Sequence, residues 1–253
     1  MVKENIRHPV HAGSFYPADK EVLTGLVEEF LDEAKIKLPK GKKIKALIVP
    51  HAGYSYSGGV AAFAYKLLAI TKPKRIILFG PSHRTYLENA FSFQGAWESP
   101  IEVTKVFPAD LPIVENDAEH SLEVQLPFLQ ITLKEFEFTP IIYGDIEARE
   151  LADIINTAST DESVLIASSD LSHYLTYAMA KKTDLNTINS ILELDLDSFI
   201  SDGDACGKIG INALILLAKK FNWKPILLDY KNSGDTAGDK KQVVGYASIA
   251  FLE

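Results

Sequence analysis

Short, continuous apolar runs set the narrowest limits on how this chain can fold. Five of them have four or five residues each and are rich in Ile, Leu and Val: Ala46–Val49, Arg75–Phe79, Thr139–Tyr143, Val164–Ala167 and Pro225–Leu228. Runs of this length with little alternation are typical of strands that are covered on both faces. A sixth run, Val243–Leu252, alternates in part and predicts an edge or closing strand.

Segments with helical spacing of their apolar residues lie between these runs. They are Glu21–Leu31, Gly59–Leu68, Leu122–Leu133, Leu185–Leu192 and Ile209–Ala218. Pro127 falls inside the third segment and predicts a kink or an interruption there. Because strands alternate with helices, we expect a three-layer α/β/α fold with a mainly parallel or mixed central sheet.

The length of 253 residues allows one large α/β domain or two small ones. Two stretches are loop-like, Lys37–Lys45 and the Gly- and Asp-rich Lys231–Lys241, but neither separates two cores. Apolar residues make up 47% of the chain, which is enough for a sizeable core. We therefore expect a single domain over residues 1–253.

Composition argues against two classes of protein. The formal charge of −8 does not suit a general nucleic-acid binder, which usually has a basic surface. No apolar run approaches the ~20 residues that span a bilayer, and the first residues lack the apolar region of a signal peptide. Cys206 is the only cysteine, so an intrachain disulfide cannot form, which suits a reducing interior. We expect a cytoplasmic protein that binds neither nucleic acid nor membranes.

Three histidines follow predicted buried strands. His51, His83 and His173 come shortly after three different apolar runs. The carboxyl ends of parallel strands meet at one edge of a sheet, and ligands bind at that edge. Polar side chains gather at the same places, with Arg84 beside the second histidine and Asp170 before the third. The spacing therefore predicts a shared site.

A glycine-rich segment, PHAGYSYSGG at 50–59, runs from the first predicted strand into a helix. Its glycines permit close approach of the backbone, and free N–H groups at a helix start can hold an anion or a carboxylate. A tight strand-to-helix turn without a ligand is the alternative. The spacing matches neither a phosphate-binding loop nor a dinucleotide-binding fingerprint.

Two further positions each allow a structural and a chemical role. Glu119 and His120 open a predicted helix, and Ser121 or Asp117 is a candidate N-cap, so capping and catalysis both remain open there. Cys206 precedes another helix, where a thiol has a lowered pKa and becomes a better ligand or nucleophile. An isolated cysteine is more often a small buried apolar residue, and no spacing links this one to the histidines.

Six motifs occur in an order that resembles the Memo family, named for a mediator of cell motility. They are HAGSFYP at 11–17, PHAGYSYSG at 50–58, GPSHR at 80–84, EHSLEVQLPF at 119–128, SSDLSHY at 168–174 and ACG at 205–207. The resemblance covers about residues 5–251. Prokaryotic members are discussed with a radical-SAM protein and an AMMECR-type protein, which implies a shared pathway.

The Memo family in turn resembles the LigB-type extradiol dioxygenases, which cleave aromatic rings with non-haem Fe(II). This resemblance implies a LigB-like central sheet between helices, with His51 and His83 as metal ligands. Cys206 matches the position at which the dioxygenases carry a carboxylate ligand. A thiolate makes the site softer than two histidines and one carboxylate, so we expect a divalent metal, Fe(II) first, with Cu or Zn also suited.

The same resemblance implies catalytic positions at His173, Asp170 and His120. His173, oriented by Asp170, is expected to move protons, because a histidine titrates near neutral pH. Tyr16 or Tyr54 is expected to stack on the substrate or to hydrogen-bond to it.

Three functions follow from these residues, and we rank them in this order. The first is a metal-dependent oxidoreductase of the dioxygenase type that acts on a small molecule. The second is a non-enzymatic adaptor, in which Arg84 and the imidazoles bind a phosphotyrosine peptide or another anion. The third is a zinc hydrolase, because two histidines and one cysteine suit catalytic zinc, with His173 or Glu119 as the base.

Overall fold

A computed structural model describes residues 5–114 and 118–253 of the chain. Its strands are β1 (Ile6–Arg7), β2 (Ile44–Val49), β3 (Arg75–Pro81), β4 (Ala90–Ser92), β5 (Ala96–Glu98), β6 (Val103–Lys105), β7 (Glu137–Tyr143), β8 (Ser163–Ser168), β9 (His173–Leu175), β10 (Lys224–Asn232) and β11 (Val243–Leu252). Its helices are α1 (Lys20–Glu33), α2 (Tyr54–Thr71), α3 (His120–Glu123), α4 (Leu126–Thr132), α5 (Ala148–Ala158), α6 (Tyr177–Leu192), α7 (Leu196–Asp202), α8 (Lys208–Phe221) and α9 (Ser233–Thr236).

The central sheet has a parallel middle and antiparallel margins. Its strands follow the order β10-β11-β2-β8-β3-β7-β4, and β9 pairs with β11 beside this path. The four strands β2, β8, β3 and β7 run parallel to one another. The pairs β10 with β11, β11 with β2, and β4 with β7 are antiparallel. The mixed sheet predicted from the apolar runs is therefore confirmed.

Both faces of the central sheet are covered by helices. Along β2, Leu47 and Val49 join an apolar cluster on one face, while Ala46 and Ile48 join a second cluster on the other. Residues of α1, α2 and α4 belong to the first cluster, and residues of α5, α6, α7 and α8 belong to the second. The three layers of the α/β/α fold follow from this arrangement, while the limits of the domain stay a prediction.

A small second sheet, in the order β1-β5-β6, was not foreseen from the sequence. Its strands have only two or three residues each, too few to show a hydrophobic pattern. Trp97 in β5 is buried, and the guanidinium of Arg7 lies 4.4 Å from the centre of its ring. This sheet fastens the N-terminal segment to the rest of the protein.

Of the two C-terminal strands, the one expected to be buried lies at the edge of the sheet, and the one expected at the edge lies inside it. Pro225–Leu228 lies within β10 at the edge of the sheet, where Leu227 is 38% exposed. Val243–Leu252 lies between β10 and β2, so its prediction as an edge strand was wrong. The partial alternation came from a buried polar residue, Ser248, whose hydroxyl donates to the carbonyl of Val60 at 2.6 Å. A buried polar group that is hydrogen-bonded fits an inner strand.

Local residues determine where helices α4 and α9 begin. The predicted helix Leu122–Leu133 is divided into α3 and α4, with Pro127 in the first turn of α4. Lys231–Lys241 is not all loop, because Asn232 and Asp235 form a capping box that starts α9. No helix in the described part of the chain is long and apolar enough to cross a membrane.

Candidate metal centre

Neighbouring parallel strands bring the ends of three chain segments together. β8 lies between β2 and β3 in the sheet, and Val49 is in register with Ser168. His51 follows β2 by two residues, and His83 follows β3 by two residues. Because these strands are parallel, their carboxyl ends lie at one edge of the sheet, as the sequence predicted.

Three imidazoles converge at this edge. The ring centroids of His51 and His83 are 5.1 Å apart, and His120, the first residue of α3, lies 5.3 Å from His51 and 4.8 Å from His83. One nitrogen of each ring lies within 4.8 Å of those of the other two. The three histidines are therefore close enough to bind one divalent metal ion, although the sequence placed His120 among the catalytic residues.

The hydrogen bonds around Ser168 determine which nitrogen His51 offers to a ligand. The Ser168 hydroxyl donates its only proton to the carbonyl of Ser121 and accepts from Gln125 Nε2 at 2.8 Å. His51 Nδ1, 3.0 Å from the same oxygen, must therefore donate to it. Burial, with the nearby His83 and His120, holds the pKa of His51 well below its usual value. His51 is neutral and has its Nε2 lone pair available.

Glu119 holds the other two imidazoles. Its carboxylate is buried and caps α3 by accepting from the backbone N–H groups of His120 and Ser121. Oε1 lies 3.0 Å from His83 Nδ1 and 2.9 Å from His120 Nδ1. Burial would raise the pKa of Glu119, but the hydrogen bonds from His120 and His83 outweigh it and hold the pKa well below its usual range. The Nε2 atoms of both histidines are left for a ligand.

The N-cap of α3 is Glu119, not one of the two candidates named from the sequence. The Ser121 hydroxyl donates to the carbonyl of Pro81 at 2.8 Å and therefore does not act as the cap. Asp117, the other candidate, lies outside the described residues. A single carboxylate thus starts α3 and orients two histidines at the same time.

Cys206 lies beside the histidines, just before α8. Its Sγ is 3.1 Å from His51 Nε2 and accepts a hydrogen bond from the backbone N–H of Asp170 at 3.2 Å. Burial, reinforced by the carboxylate of Asp170, raises the pKa of the Cys206 thiol to about 12. The lowered thiol pKa expected at a helix start was therefore wrong, because the protein around the sulfur outweighs the helix end. A bound metal cation would lower the pKa of this thiol.

The donor atoms fit a divalent transition metal. Three imidazole nitrogens and one sulfur suit Fe, Cu or Zn better than Mg or Ca, which prefer oxygen. Metal-binding histidines usually direct their other ring nitrogen to a fixed partner. His51 and His83 do so through hydrogen bonds to Ser168 and Glu119, whereas His120 Nδ1 lies 2.9 Å from Glu119 without hydrogen-bond geometry. The site can therefore hold a divalent metal ion.

Asp170 lies next to these donors, and His173 is within electrostatic range of His51 and Asp170. Asp170 is buried, and its Oδ1 accepts the backbone N–H of His51 at 2.7 Å. Burial raises the pKa of Asp170 to about 6, against the opposing effects of the His51 N–H and of His173. His173 begins β9 and is half-buried. Asp170 thus fixes the backbone of His51, while His173 lowers the pKa of Asp170 electrostatically.

The residues predicted to bind substrate lie in two different environments. Tyr16 and Tyr54 are buried, and their hydroxyls donate to Glu123 Oε1 at 2.8 Å and to the carbonyl of Val124 at 2.7 Å. Arg84 is exposed and has no hydrogen bond or ion pair within residues 5–114 and 118–253. Substrate contact by any of the three stays a prediction.

Three supporting residues were missed by sequence reasoning, and all three carry buried polar side chains: Glu123, Gln125 and Ser168. Glu123 accepts hydrogen bonds from the backbone N–H groups of Val10 and His11 and forms an ion pair with Arg7 at 2.7 Å. The available signal was the spacing of acidic and amide residues within the apolar EHSLEVQLPF motif, since buried polar groups require partners.

A cavity of about 370 Å³ borders the candidate metal centre through Cys206. Its walls include Ser82, Leu87, Tyr143 and Lys208. This volume is within the range of small-molecule sites, about 300–1,000 Å³. A larger cavity of about 550 Å³ lies against α5, and neither histidine nor cysteine lines it. The smaller cavity is therefore the better candidate for a substrate.

Comparison with known proteins identifies a family to which similar sequences belong. The sequence profile of the Memo-like protein family matches residues 7–250. A MEMO1 family protein of Thermoplasma volcanium is 35% identical over 268 residues, covering 96% of this chain and 97% of that protein. Another from Thermoplasma acidophilum is 36% identical, covering 97% and 98%. A third, from Aquifex aeolicus, is 36% identical, covering 98% and 99%.

Among solved structures, the uncharacterized protein JW3007 from Escherichia coli K12 is similar, with a TM-score of 0.50 and 11% sequence identity. The match covers 82% of this chain and 99% of that one, and at this identity it supports the fold alone. The family profile and the relatives extend over nearly the whole sequence, including the residues of the candidate metal centre. This chain therefore belongs to the Memo-like protein family.

Proposed function

We propose that this protein is a metal-dependent oxidoreductase that acts on a small organic molecule. Its divalent metal, Fe(II) in the first place, would be held by the imidazoles of His51, His83 and His120, with the thiolate of Cys206 as a fourth donor. The observation that carries this proposal is the convergence of three imidazoles, two of them held by hydrogen bonds at Nδ1, with the Cys206 sulfur 3.1 Å from His51 Nε2.

The family resemblance favours redox chemistry, since the donor set alone suits Fe, Cu and Zn. Bound Fe(II) with open positions supplies oxidation by O₂, and the resemblance to extradiol dioxygenases points the same way. The protein's own part is to hold the imidazoles in fixed orientations, which Ser168 and Glu119 do. Four protein donors would leave two positions of an octahedral ion for ligands from solvent.

A substrate has room beside this centre. The cavity next to Cys206 is lined by Leu87 and Tyr143 and by one residue of each charge, Lys208 and Asp145, so it suits a small, partly apolar molecule. His83, with 30% of its side chain exposed, provides contact with solvent. We assign to His173, which is within electrostatic range of Asp170, the role of taking or returning a proton.

The zinc hydrolase alternative is weakened by the position of Glu119. Its two oxygens already accept hydrogen bonds from the backbone of residues 83, 120 and 121 and face two imidazoles. A general base needs a free oxygen within reach of the water it activates. Glu119 therefore acts as a holder of ligands, and only His173 is left as a base.

The adaptor alternative keeps one supporting observation, the exposed guanidinium of Arg84 next to His83. A phosphate group would be bound there by charge-assisted hydrogen bonds. Calorimetry with phosphotyrosine separates the two functions. Binding that survives both metal removal and His51→Ala, and that is lost in Arg84→Ala, would support the adaptor over the enzyme.

The test of the proposed function has two stages. Protein purified without chelator is analysed for metal, beside His51→Ala, His83→Ala, His120→Ala and Cys206→Ser. His8→Ala serves as a control, because His8 is a histidine with 75% of its side chain exposed. We expect metal in the wild type and in the control, and a loss in the four site variants.

The second stage uses Fe(II) reconstitution under anaerobic conditions, followed by O₂ uptake with catechols and small phenols. We expect uptake with at least one compound, and its loss in His173→Ala with metal content retained. Metal bound without O₂ uptake for any candidate would contradict the oxidoreductase. Equal metal content in all variants would contradict the site itself.

A further inference from the structure

We propose that Asp184 is a positioning residue for the metal centre, which it serves by holding the loop of residues 169–173 from helix α6. This inference rests on the proposed metal site. It assigns a role to a buried carboxylate that is not a proposed metal ligand and that contacts no side chain of the proposed ligands.

The surroundings of Asp184 are unusual for a carboxylate. The residue is 0% exposed, and its hydrogen bonds come from neutral donors. Oδ1 accepts the backbone N–H of Ser172 at 3.0 Å, and Oδ2 accepts the hydroxyl of Tyr230 at 2.8 Å. Burial of a carboxylate is costly unless its oxygens are satisfied, and an apolar residue would cost less for stability alone. The contact with Ser172 therefore points to a role beyond packing.

Strand β11 leaves space for this carboxylate at Gly245. A Cβ at position 245 would lie 2.1 Å from Asp184 Oδ2, so any larger residue would have to displace this carboxylate. The same glycine holds the loop from its other side, since its N–H donates to the carbonyl of Ser172 at 2.9 Å and its carbonyl accepts from Leu171 at 2.8 Å. Ser172 is thus fixed on both sides, by α6 and by β11.

The position of this loop determines the position of two metal donors. Asp170 Oδ1 accepts the backbone N–H of His51 at 2.7 Å. The backbone N–H of Asp170 donates to Cys206 Sγ at 3.2 Å, and the backbone N–H of Cys206 donates to the carbonyl of Asp170 at 3.2 Å. A shift of Ser172 would move Asp170, and through it both the imidazole and the thiol.

Helix α6 also holds the segment that carries the cysteine. Thr187, one turn after Asp184, is buried, and its Oγ1 accepts the backbone N–H of Asp204 at 3.0 Å. Residues three apart lie on the same face of a helix. One face of α6 therefore fastens the loop before β9 and the segment that precedes α8, which are the two chain segments that meet at Cys206.

The experiment is an anaerobic titration of the metal-free protein with Co(II), followed by visible and near-ultraviolet absorbance. A sulfur-to-cobalt charge-transfer band reports Cys206 as a ligand, and Cys206→Ser identifies that band. We expect Asp184→Ala to bind Co(II) about 10–100-fold more weakly, as is usual when a group that orients ligands is lost, and to weaken or shift the band. Asp184→Asn retains an acceptor for Ser172 and should stay within about threefold of the wild type.

Tyr230→Phe is the matched control, because it removes the partner of the other oxygen and leaves Ser172 in contact. We expect it to lower the unfolding temperature while Co(II) affinity stays within about threefold of the wild type. Near-ultraviolet circular dichroism shows whether each metal-free variant is folded. If Asp184→Ala is not folded, Asp184→Glu replaces it, because its carboxylate is displaced by one methylene group. We expect Asp184→Glu to bind Co(II) more weakly and to shift the band.

Two results would overturn the inference. One is a folded Asp184→Ala or Asp184→Glu with the affinity and the band of the wild type. The other is an equal loss of affinity in Tyr230→Phe, which would indicate a general structural role. A wild-type protein that binds no Co(II) would instead contradict the proposed function. A wild-type protein that binds Co(II) without the band would remove Cys206 as a ligand and leave the affinities to decide.

Discussion

Glu119 contacts His83 twice, because Oε2 accepts the backbone N–H of that histidine while Oε1 lies 3.0 Å from its Nδ1. The same Oε1 lies 2.9 Å from His120 Nδ1. One carboxylate therefore sets the orientation of two of the three imidazoles.

Replacement of Glu119 by alanine should reduce both metal affinity and stability. We expect Glu119→Ala to bind Co(II) about 10–100-fold more weakly, because two imidazoles lose the group that orients them. Asp19→Ala is the control, since Asp19 caps α1 and is remote from the centre. Loss of that cap should cost about 1 kcal/mol of unfolding free energy and leave Co(II) affinity unchanged. Equal affinities in both variants would contradict the role of Glu119.

Ser168→Ala should disturb His51 in particular. The substitution leaves Nδ1–H of His51 without its acceptor, and we expect a cost of about 1–3 kcal/mol in unfolding free energy together with weaker metal binding. Ser248→Ala is matched to it, because Ser248 is a buried serine whose hydroxyl donates to Val60. That control should lose stability alone. Denaturant unfolding and Co(II) titration of both variants make the comparison, and unchanged metal affinity in Ser168→Ala would refute the hydrogen-bond assignment.

Gly207→Ala should deform the segment that carries the cysteine. A Cβ at Gly207 would lie 2.7 Å from Ser169 Cβ, so one of the two backbones must shift. We expect about 1–3 kcal/mol of destabilisation and a lower metal content. Gly25→Ala is the control, because the added methyl group meets nothing within 4 Å. This substitution in a helix should raise the unfolding free energy by about 0.5–1 kcal/mol and leave the metal content unchanged. Metal analysis and thermal unfolding check both, and normal metal content in Gly207→Ala would count against the close packing described.

The stability of the metal-free protein should depend on pH through Asp184. Burial raises the pKa of Asp184, with a further increase from Asp204, against hydrogen bonds from Ser172 and Tyr230. The folded state then binds this proton more tightly than the unfolded chain, so the contribution is full below about pH 3.9 and is lost as pH rises through the folded-state pKa. We expect the unfolding free energy of the wild type, relative to Asp184→Asn, to fall as pH rises from about 4 towards neutral.

Urea unfolding at several pH values, with chelator present, measures this difference. A difference between wild type and variant that is constant with pH, or that grows in favour of the wild type as pH rises, would contradict the raised pKa.

The sequence predicted the parallel middle of the sheet because its strands are buried on both faces and are continuous apolar runs. It also predicted that His51, His83 and His173 share a site, since all three follow strands of that middle. His51 and His83 do meet, and the third imidazole of their cluster is His120. The positions of β10 and β11 were not predictable in the same way. The order of strands within a sheet depends on pairing between distant segments. Ser248 makes the sequence of β11 alternate in part, but its hydroxyl is buried and donates a hydrogen bond to a carbonyl of helix α2.

The third imidazole could not be placed by the same rule. His120 follows no strand and reaches the centre at the start of α3, where its position depends on the cap formed by Glu119. Cys206 entered the site only through the family resemblance, because nothing in its spacing relates it to the histidines. Buried partners such as Gln125 could be recognised as polar residues in an apolar motif, but not which atoms they contact.

Anomalous diffraction at the iron absorption edge tests most directly whether His51, His83, His120 and Cys206 share one ion. Crystals would be grown from protein loaded with Fe(II) under anaerobic conditions. We expect one strong peak about 2.0–2.4 Å from the Nε2 atoms of the three histidines and from Cys206 Sγ. A peak at another place in the protein, or none at this edge of the sheet, would contradict the metal centre.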